Sequence, residues 1–261
     1  MTLVVGLDLG QASDFTAVAI LESLPAERVW AVRNLDRFPL HTPYTVIVEQ
    51  IRLLMKAWPL RDRAHLVVDG TGVGRPVLDL LRRAGLGRRL VSVTIHGGDK
   101  VTVGGGYGVP KRDIVSTLQL LLQQGRLKIA AGLHDAKALF TELASFGVRI
   151  SDSGHDTYGA GRANEHDDLV NAVGLACWYG QRLWALPPGP PATAREVSEA
   201  DKFFESLWAA ERGRNPDFFV VADYRLGRRS RLPRSHETRP GITGAVSHVI
   251  RTEGKSGNGS K

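Results

Sequence analysis

Leu3-Val4-Val5-Gly6-Leu7-Asp8-Leu9 reads as a buried β-strand that carries an acid. Alternation puts Val5, Leu7 and Leu9 on one face and Val4, Gly6 and Asp8 on the other. An aspartate in such a strand is costly unless it is paired or bound to a metal. Working outward, residues 10–14 form a turn and residues 15–21 a second strand, which predicts an antiparallel hairpin. Residues 29–38 supply the third strand of a meander. Thr42-Pro43 reads as a cap with proline at the first helical position. The helix it opens runs to about Trp58, with Ile47, Ile51, Leu54 and Met55 inward. Residues 65–69 form a strand ending in Asp69, and Gly70-Thr71-Gly72-Val73-Gly74 turns the chain into a helix over residues 76–84. Residues 90–95 give another strand. The order β-β-β-α-β-α-β predicts an α/β fold: a mixed sheet, antiparallel meander first and parallel strands after, flanked by helices.

Residues 96–108 are glycine-rich and contain the alternating Lys100-Val101-Thr102-Val103, a hairpin pattern. Pro110 opens a helix to about Gln124, with Ile114, Leu118 and Leu121 inward. Residues 127–130 are strand-like, residues 135–146 helical, and residues 151–163 a polar loop. His166-Asp167-Asp168-Leu169-Val170-Asn171-Ala172-Val173-Gly174-Leu175-Ala176 then begins an apolar helix with Leu169, Val173 and Ala176 on one stripe and Val170 beside it. Its two aspartates sit where the helix dipole favours negative charge. Acidic first turns are common, but two acids behind a histidine exceed what capping requires.

Pro187-Pro188-Gly189-Pro190-Pro191 marks the clearest boundary. The expected organisation is a main domain over residues 1–184, a linker over 185–193, an amphipathic helix and short strand over 194–222, and a basic, disordered tail over 223–261. Phe203, Phe204, Leu207 and Trp208 share one side of the helix, which predicts docking onto the main domain.

Composition narrows the class. The single cysteine, Cys177, excludes a disulfide framework and a cysteine-rich zinc site, and its place in an apolar helix reads as core. The N-terminus lacks a basic n-region, and no apolar run is long enough to span a bilayer, so a cytoplasmic protein is expected. The net charge is +7, and residues 223–261 hold nine Lys/Arg against three Asp/Glu, leaving +1 for residues 1–222. Arg225, Arg228, Arg229, Arg231 and Arg234 head this basic tail, a composition suited to phosphate backbones and equally to solubility.

Asp8, Asp69 and the Asp167/Asp168 pair are the acids at telling places. If the strand of Asp69 lies beside the first strand, two carboxylates point at one spot and the late helix can bring a third. Carboxylates without cysteine select hard divalent cations such as Mg²⁺ or Mn²⁺. Two such ions roughly 3.5–4 Å apart stabilise both oxygens in phosphodiester cleavage.

Val5-Gly6-Leu7-Asp8-Leu9-Gly10, Val67-Val68-Asp69-Gly70-Thr71-Gly72-Val73-Gly74 and His166-Asp167-Asp168-Leu169-Val170-Asn171-Ala172 resemble, in order and spacing, the three acidic motifs of the phage large-terminase nuclease domain. Val109-Pro110-Lys111-Arg112-Asp113 and Gly125-Arg126-Leu127-Lys128-Ile129 fit the helix and strand between them. The resemblance covers residues 3–183 and implies a ribonuclease H-like fold of the retroviral integrase superfamily. It implies an endonuclease for double-stranded DNA with two divalent cations, Asp8 shared between them, Asp69 second, Asp168 third and Asp167 close by. It also implies a hairpin near the site at residues 100–108, and phosphate contacts from Lys100, Lys111 and Arg112. A portal, a small terminase subunit and an ATPase motor are the implied partners, with the host cytoplasm as the setting. No GxxxxGK[ST] occurs, so the motor would be removed or encoded separately.

Three other readings share some of these residues. A Holliday-junction resolvase of the same fold would prefer four-way junctions. An actin-like or sugar-kinase ATPase also uses Asp-Leu-Gly after a strand, but about 185 residues are few for two lobes. A DNA-binding adaptor would keep the fold without cleavage.

Overall fold

The computed structural model describes residues 1–10, 14–72, 74–150, 156–160, 166–185 and 193–212. β1 (Leu3–Asp8), β2 (Ala17–Leu24) and β3 (Val29–Arg37) form the expected antiparallel meander. α1 (Tyr44–Lys56) crosses over to β4 (Ala64–Asp69), which pairs parallel with the free side of β1. α2 (Gly74–Leu81) leads to β5 (Leu90–His96), parallel to β4. β6 (Thr102–Val103) and β7 (Tyr107–Pro110) make the glycine-tipped hairpin, with β7 parallel to β5. After α3 (Lys111–Gln123), β8 (Leu127–Ile129) pairs parallel with β3. The eight-stranded order is β6-β7-β5-β4-β1-β2-β3-β8, the mixed ribonuclease H-like sheet that the sequence predicts. α4 (Ala136–Ser145), α5 (Asp168–Trp184) and α6 (Ala194–Arg212) complete the helices.

Three local expectations change. Within the expected polar loop over 151–163, Asp156–Ala160 form a strand, β10, that pairs antiparallel with β9 (Phe146–Ile150); the rest of the loop lies outside the described residues. The preceding helix stops at Ser145, so Phe146-Gly147-Val148-Arg149-Ile150, a β-prone alternation, is free to pair. Thr42 does not cap α1. Its hydroxyl donates to the Pro39 carbonyl at 2.6 Å, and Pro43 occupies the N-cap, its carbonyl accepting from the Val46 and Ile47 amides. α2 starts at Gly74, two residues early, and its path continues through a wider turn (Arg82–Leu86) and a tighter one (Gly87–Arg89). Gly85, at φ 84°, lets the chain leave the helix there.

One sheet face presents Leu3, Val5, Leu7, Leu66 and Val68 to Ile47, Ile51 and Met55 of α1, Val77 and Leu81 of α2, and Ala200 and Phe204 of α6. α6 therefore docks on the main core. Arg33, ion-paired to Glu22 at 2.9 Å and to Asp201, stacks 4.9 Å over the Phe204 ring, and Arg63 pairs with Glu196. The side chains of Leu207 and Trp208, the expected strand over 218–221, the proline-rich stretch and the basic tail lie outside the described residues.

The other face belongs to α5, buried nearly all round because the sheet lies on one side and α3 and α4 on the other. The expected stripe of Leu169, Val170, Val173 and Ala176 is buried, as is Cys177, whose thiol burial pushes well up. Small residues set the spacing. A Cβ on Gly6 would stand 2.0 Å from the Ala172 carbonyl oxygen, and one on Gly180 would stand 2.7 Å from the Trp30 ring. No helix among the described residues is long and apolar enough to cross a membrane.

The contact at Gly6 is with backbone on both sides, so a methyl group there must move a strand or a helix. Gly6→Ala is expected to destabilise the protein by roughly 2 kcal/mol or more, read as a fall in thermal midpoint; an unchanged midpoint would show that the two elements are not held this close.

Candidate functional site

The site begins with strand register. β1 and β4 are parallel neighbours with Leu7 opposite Val68, so the next residue of each brings Asp8 and Asp69 side by side at the C-terminal edge of the sheet. Asp8 follows Gly6 by two, so its side chain emerges on the α5 face. The N-terminus of α5 passes over that edge. Asn171 donates through Nδ2 to Asp8 Oδ2 at 3.3 Å and to Asp167 Oδ1 at 3.2 Å, linking the two acids. Lys111, the first residue of α3, places Nζ 3.4 Å from Asp167 Oδ2. Asp69 Oδ1 accepts from the Thr71 amide at 2.8 Å and its hydroxyl at 2.5 Å. The Thr71 hydroxyl oxygen in turn accepts from the Ile95 amide at 2.8 Å, which ties the turn to β5.

These carboxylates are poorly compensated. Burial pushes Asp8 well above the usual carboxylate range, and repulsion from Asp69, Asp167 and Asp168 adds to it; the Asn171 hydrogen bond opposes this only in part. Burial raises Asp69 too, against the Thr71 hydrogen bonds and the nearby Lys111 charge. An acid cluster with this much unmatched charge, and no sulfur ligand, fits hard divalent cations. The set is an open one. Among the described residues, the three ligand groups lying within 4.8 Å of one another are Asp36, His134 and Asp135; Asp8, Asp69 and Asp167 are spaced more widely.

Asp168 has a different neighbourhood from the one expected. It is 3% exposed and faces Arg37, whose Nε lies 2.6 Å from Oδ2. The same guanidinium pairs with Glu142 and stacks 5.0 Å over Phe15. Glu142 accepts from the Val170 amide at 2.9 Å, which satisfies a free N–H in the first turn of α5. Burial, reinforced by Asp168, pushes Glu142 up to about 8. Arg37 thus gathers Asp168 and Glu142, while Asp167 is the member of the acidic pair that Asn171 joins to Asp8. His166 stands beside Asp168, its Nδ1 3.9 Å from Oδ1, edge-on to Phe15.

The expected phosphate contacts separate in space. Lys111 lies within the acid cluster. Arg112 donates to the Asp99 carboxylate at 2.7 Å and carbonyl at 2.9 Å, so it holds the loop leading into the hairpin. Lys100 is exposed in that loop. Arg225, Arg228, Arg229 and Arg231 lie outside the described residues. Sequence reading missed four participants: Asn171, Thr71, Arg37 and Glu142. Asn171 was legible, because a residue four after Asp167 shares its helix face. Arg37 and Glu142 meet only through the fold and leave no local pattern.

A family model described as "Terminase RNaseH-like domain" matches residues 5–179. No curated protein matches the chain. Among solved structures, the large terminase nuclease of thermophilic phage G20c aligns with a TM-score of 0.51 at 21% identity, over 69% of this chain and 82% of that one. The nuclease domain of the large terminase subunit gp2 of bacterial virus Sf6 gives 0.49 at 15% identity, over 74% and 90%. The HK97 bacteriophage large terminase gives 0.48 at 15%, over 68% of this chain and 39% of that one. At such identities the G20c likeness speaks for the fold, and the other two scores are too low to add to it.

A carboxyl whose pKa is higher folded than unfolded holds its proton more tightly when folded, so stability is lost as pH rises from the unfolded value, 3.8 for Asp8, through the folded one. In EDTA, Asp8→Asn is therefore expected to melt above the wild type, by a margin that widens between about pH 4 and the raised folded value. Melting curves with the same pH dependence for both proteins would remove the electrostatic account of the site.

Proposed function

The chain belongs to the terminase RNase H-like domain family, and from that premise we propose that it is a metal-dependent endonuclease cutting double-stranded DNA with little sequence preference, as in viral genome packaging. The observation that carries this reading is the convergence of Asp8, Asp69 and Asp167 on one sheet edge, with Asp8 surrounded by like charge.

In this reading Asp8, Asp69 and Asp167 would hold two Mg²⁺ or Mn²⁺ ions. When bound, such ions activate water and neutralise charge on the scissile phosphate. The chain's own residues do the rest. Asn171 fixes the rotamers of Asp8 and Asp167 through one amide, and Thr71 fixes Asp69. Lys111 is placed to approach a phosphate oxygen once its hold on Asp167 is relaxed. Arg37 and Glu142 lock the first turn of α5, which sets where Asp167 and Asn171 stand, and Asp168 serves that lock. Preorganised charge of this kind acts where the transition state gains it. The proposed partners are duplex DNA, an ATPase motor carried elsewhere, the portal and a small terminase subunit.

Plasmid digestion with Mg²⁺, Mn²⁺ or EDTA tests the activity. Wild type should nick and linearise DNA only with metal, and Asp8→Ala should lose at least about 100-fold in rate while keeping the fold; an unchanged rate would end the assignment. The two adjacent acids separate the roles further. Asp167→Asn should lose cleavage at an unaltered thermal midpoint, whereas Asp168→Ala should lower stability by on the order of 1–3 kcal/mol, because Arg37 loses a buried partner. The reverse pattern would exchange their assignments.

A further inference from the structure

Charge in the main body is not spread evenly. Residues 74–90 hold five arginines against one acid, a surplus of four, although residues 1–222 together carry only +1. The sequence pattern is Arg75, then Arg82-Arg83 and Arg88-Arg89, with Asp79 the single acid. None of these arginines belongs to the acid cluster or its supports.

Topology gives the series a direction. β4 and β5 are parallel, so α2 between them runs back along the sheet from the edge that carries Asp69. Arg75 lies in the first turn of α2, six residues after Asp69. Arg83 is eight residues on, roughly 12 Å along the axis and about 80° round the helix from Arg75. Beyond it, the left-handed Gly85 and the short turn Gly87–Arg89 extend the series past the helix end. Arg75, Arg83 and Arg88 are exposed and make no hydrogen bond or ion pair with the described residues. Arg82 is joined to Asp79 at 2.8 Å, and Arg89 is half-buried.

Exposed guanidinium groups, unpaired among the described residues and spaced along the segment that leaves Asp69, match one partner best. Arginine presents a planar fork of donors that fits phosphate, and duplex phosphates recur every 3.4 Å or so along each strand. We propose that Arg75, Arg83 and Arg88 form a rail that grips the backbone of duplex DNA several base pairs from the acid cluster. The choice of DNA as partner rests on the nuclease reading; the rail itself rests on the charge and geometry.

The test replaces all three arginines with glutamine in the full chain and measures binding of a fluorescent duplex of about 30 base pairs in EDTA over a range of salt. Losing three phosphate contacts should weaken binding at least about tenfold and flatten the slope of log K against log salt by roughly 2–3. The thermal midpoint should hold, and the triple lysine variant should recover most of the affinity. Affinity and slope equal to wild type would overturn the rail, including the case in which the surface serves an acidic protein instead. Plasmid cleavage separates this result from the activity itself. An active triple-glutamine protein should show a raised KM with kcat kept, and an unchanged KM overturns the rail while leaving the nuclease intact. A wild type that binds duplex through these arginines yet never cuts overturns the nuclease and leaves the rail.

Discussion

The backbone of α5 lies so close to β1 that a side-chain carbon does not fit between them. Gly6 faces the Ala172 carbonyl at a distance a methyl group could not share, and that approach sets the height of the helix over the sheet. Just before Ala172, Asn171 and, one turn earlier at the N-cap of α5, Asp167 arrive at the level of Asp8. With a larger residue at Gly6 the helix would stand further off, and one amide could no longer reach two carboxylates. The site thus depends on the absence of a side chain two residues before its central acid.

That geometry sets like charges against one another, and the fold divides them. Asp168 and Glu142 are both buried, and Arg37 lies between them on an aromatic ring. Burial of a carboxylate is tolerated when a guanidinium and an amide meet it, and here the arrangement also fixes the start of α5. Asp8 has no such partner. Among the described residues its one hydrogen bond comes from a neutral amide at 3.3 Å, so its buried charge is left largely uncompensated.

The elements outside the site keep it in place. Thr71 connects Asp69 to β5 through a hydroxyl that both donates and accepts. Arg112 fastens the loop before the hairpin to the start of α3, the same turn from which Lys111 reaches Asp167. On the far face, α6 inserts Phe204 into the core under Arg33, so a helix beyond the proline-rich boundary becomes part of the support beneath β1.

Apart from β9 and β10, the order of strands and helices was legible in the sequence alone, as were the three acidic motifs and the family resemblance, because alternation, helix spacing and short glycine turns are local patterns that each stretch carries alone. The sequence also held Asn171, four residues after Asp167, in plain view. The different neighbours of Asp167 and Asp168 come from the packed fold alone. Adjacent helical residues point about 100° apart, and which of them meets Asp8 depends on the rotation of α5, fixed by Gly6, Arg37 and Glu142 from three distant parts of the chain. A run of letters specifies what each element wants to bury; the choice of which carboxylate faces its fellows is made when those elements pack.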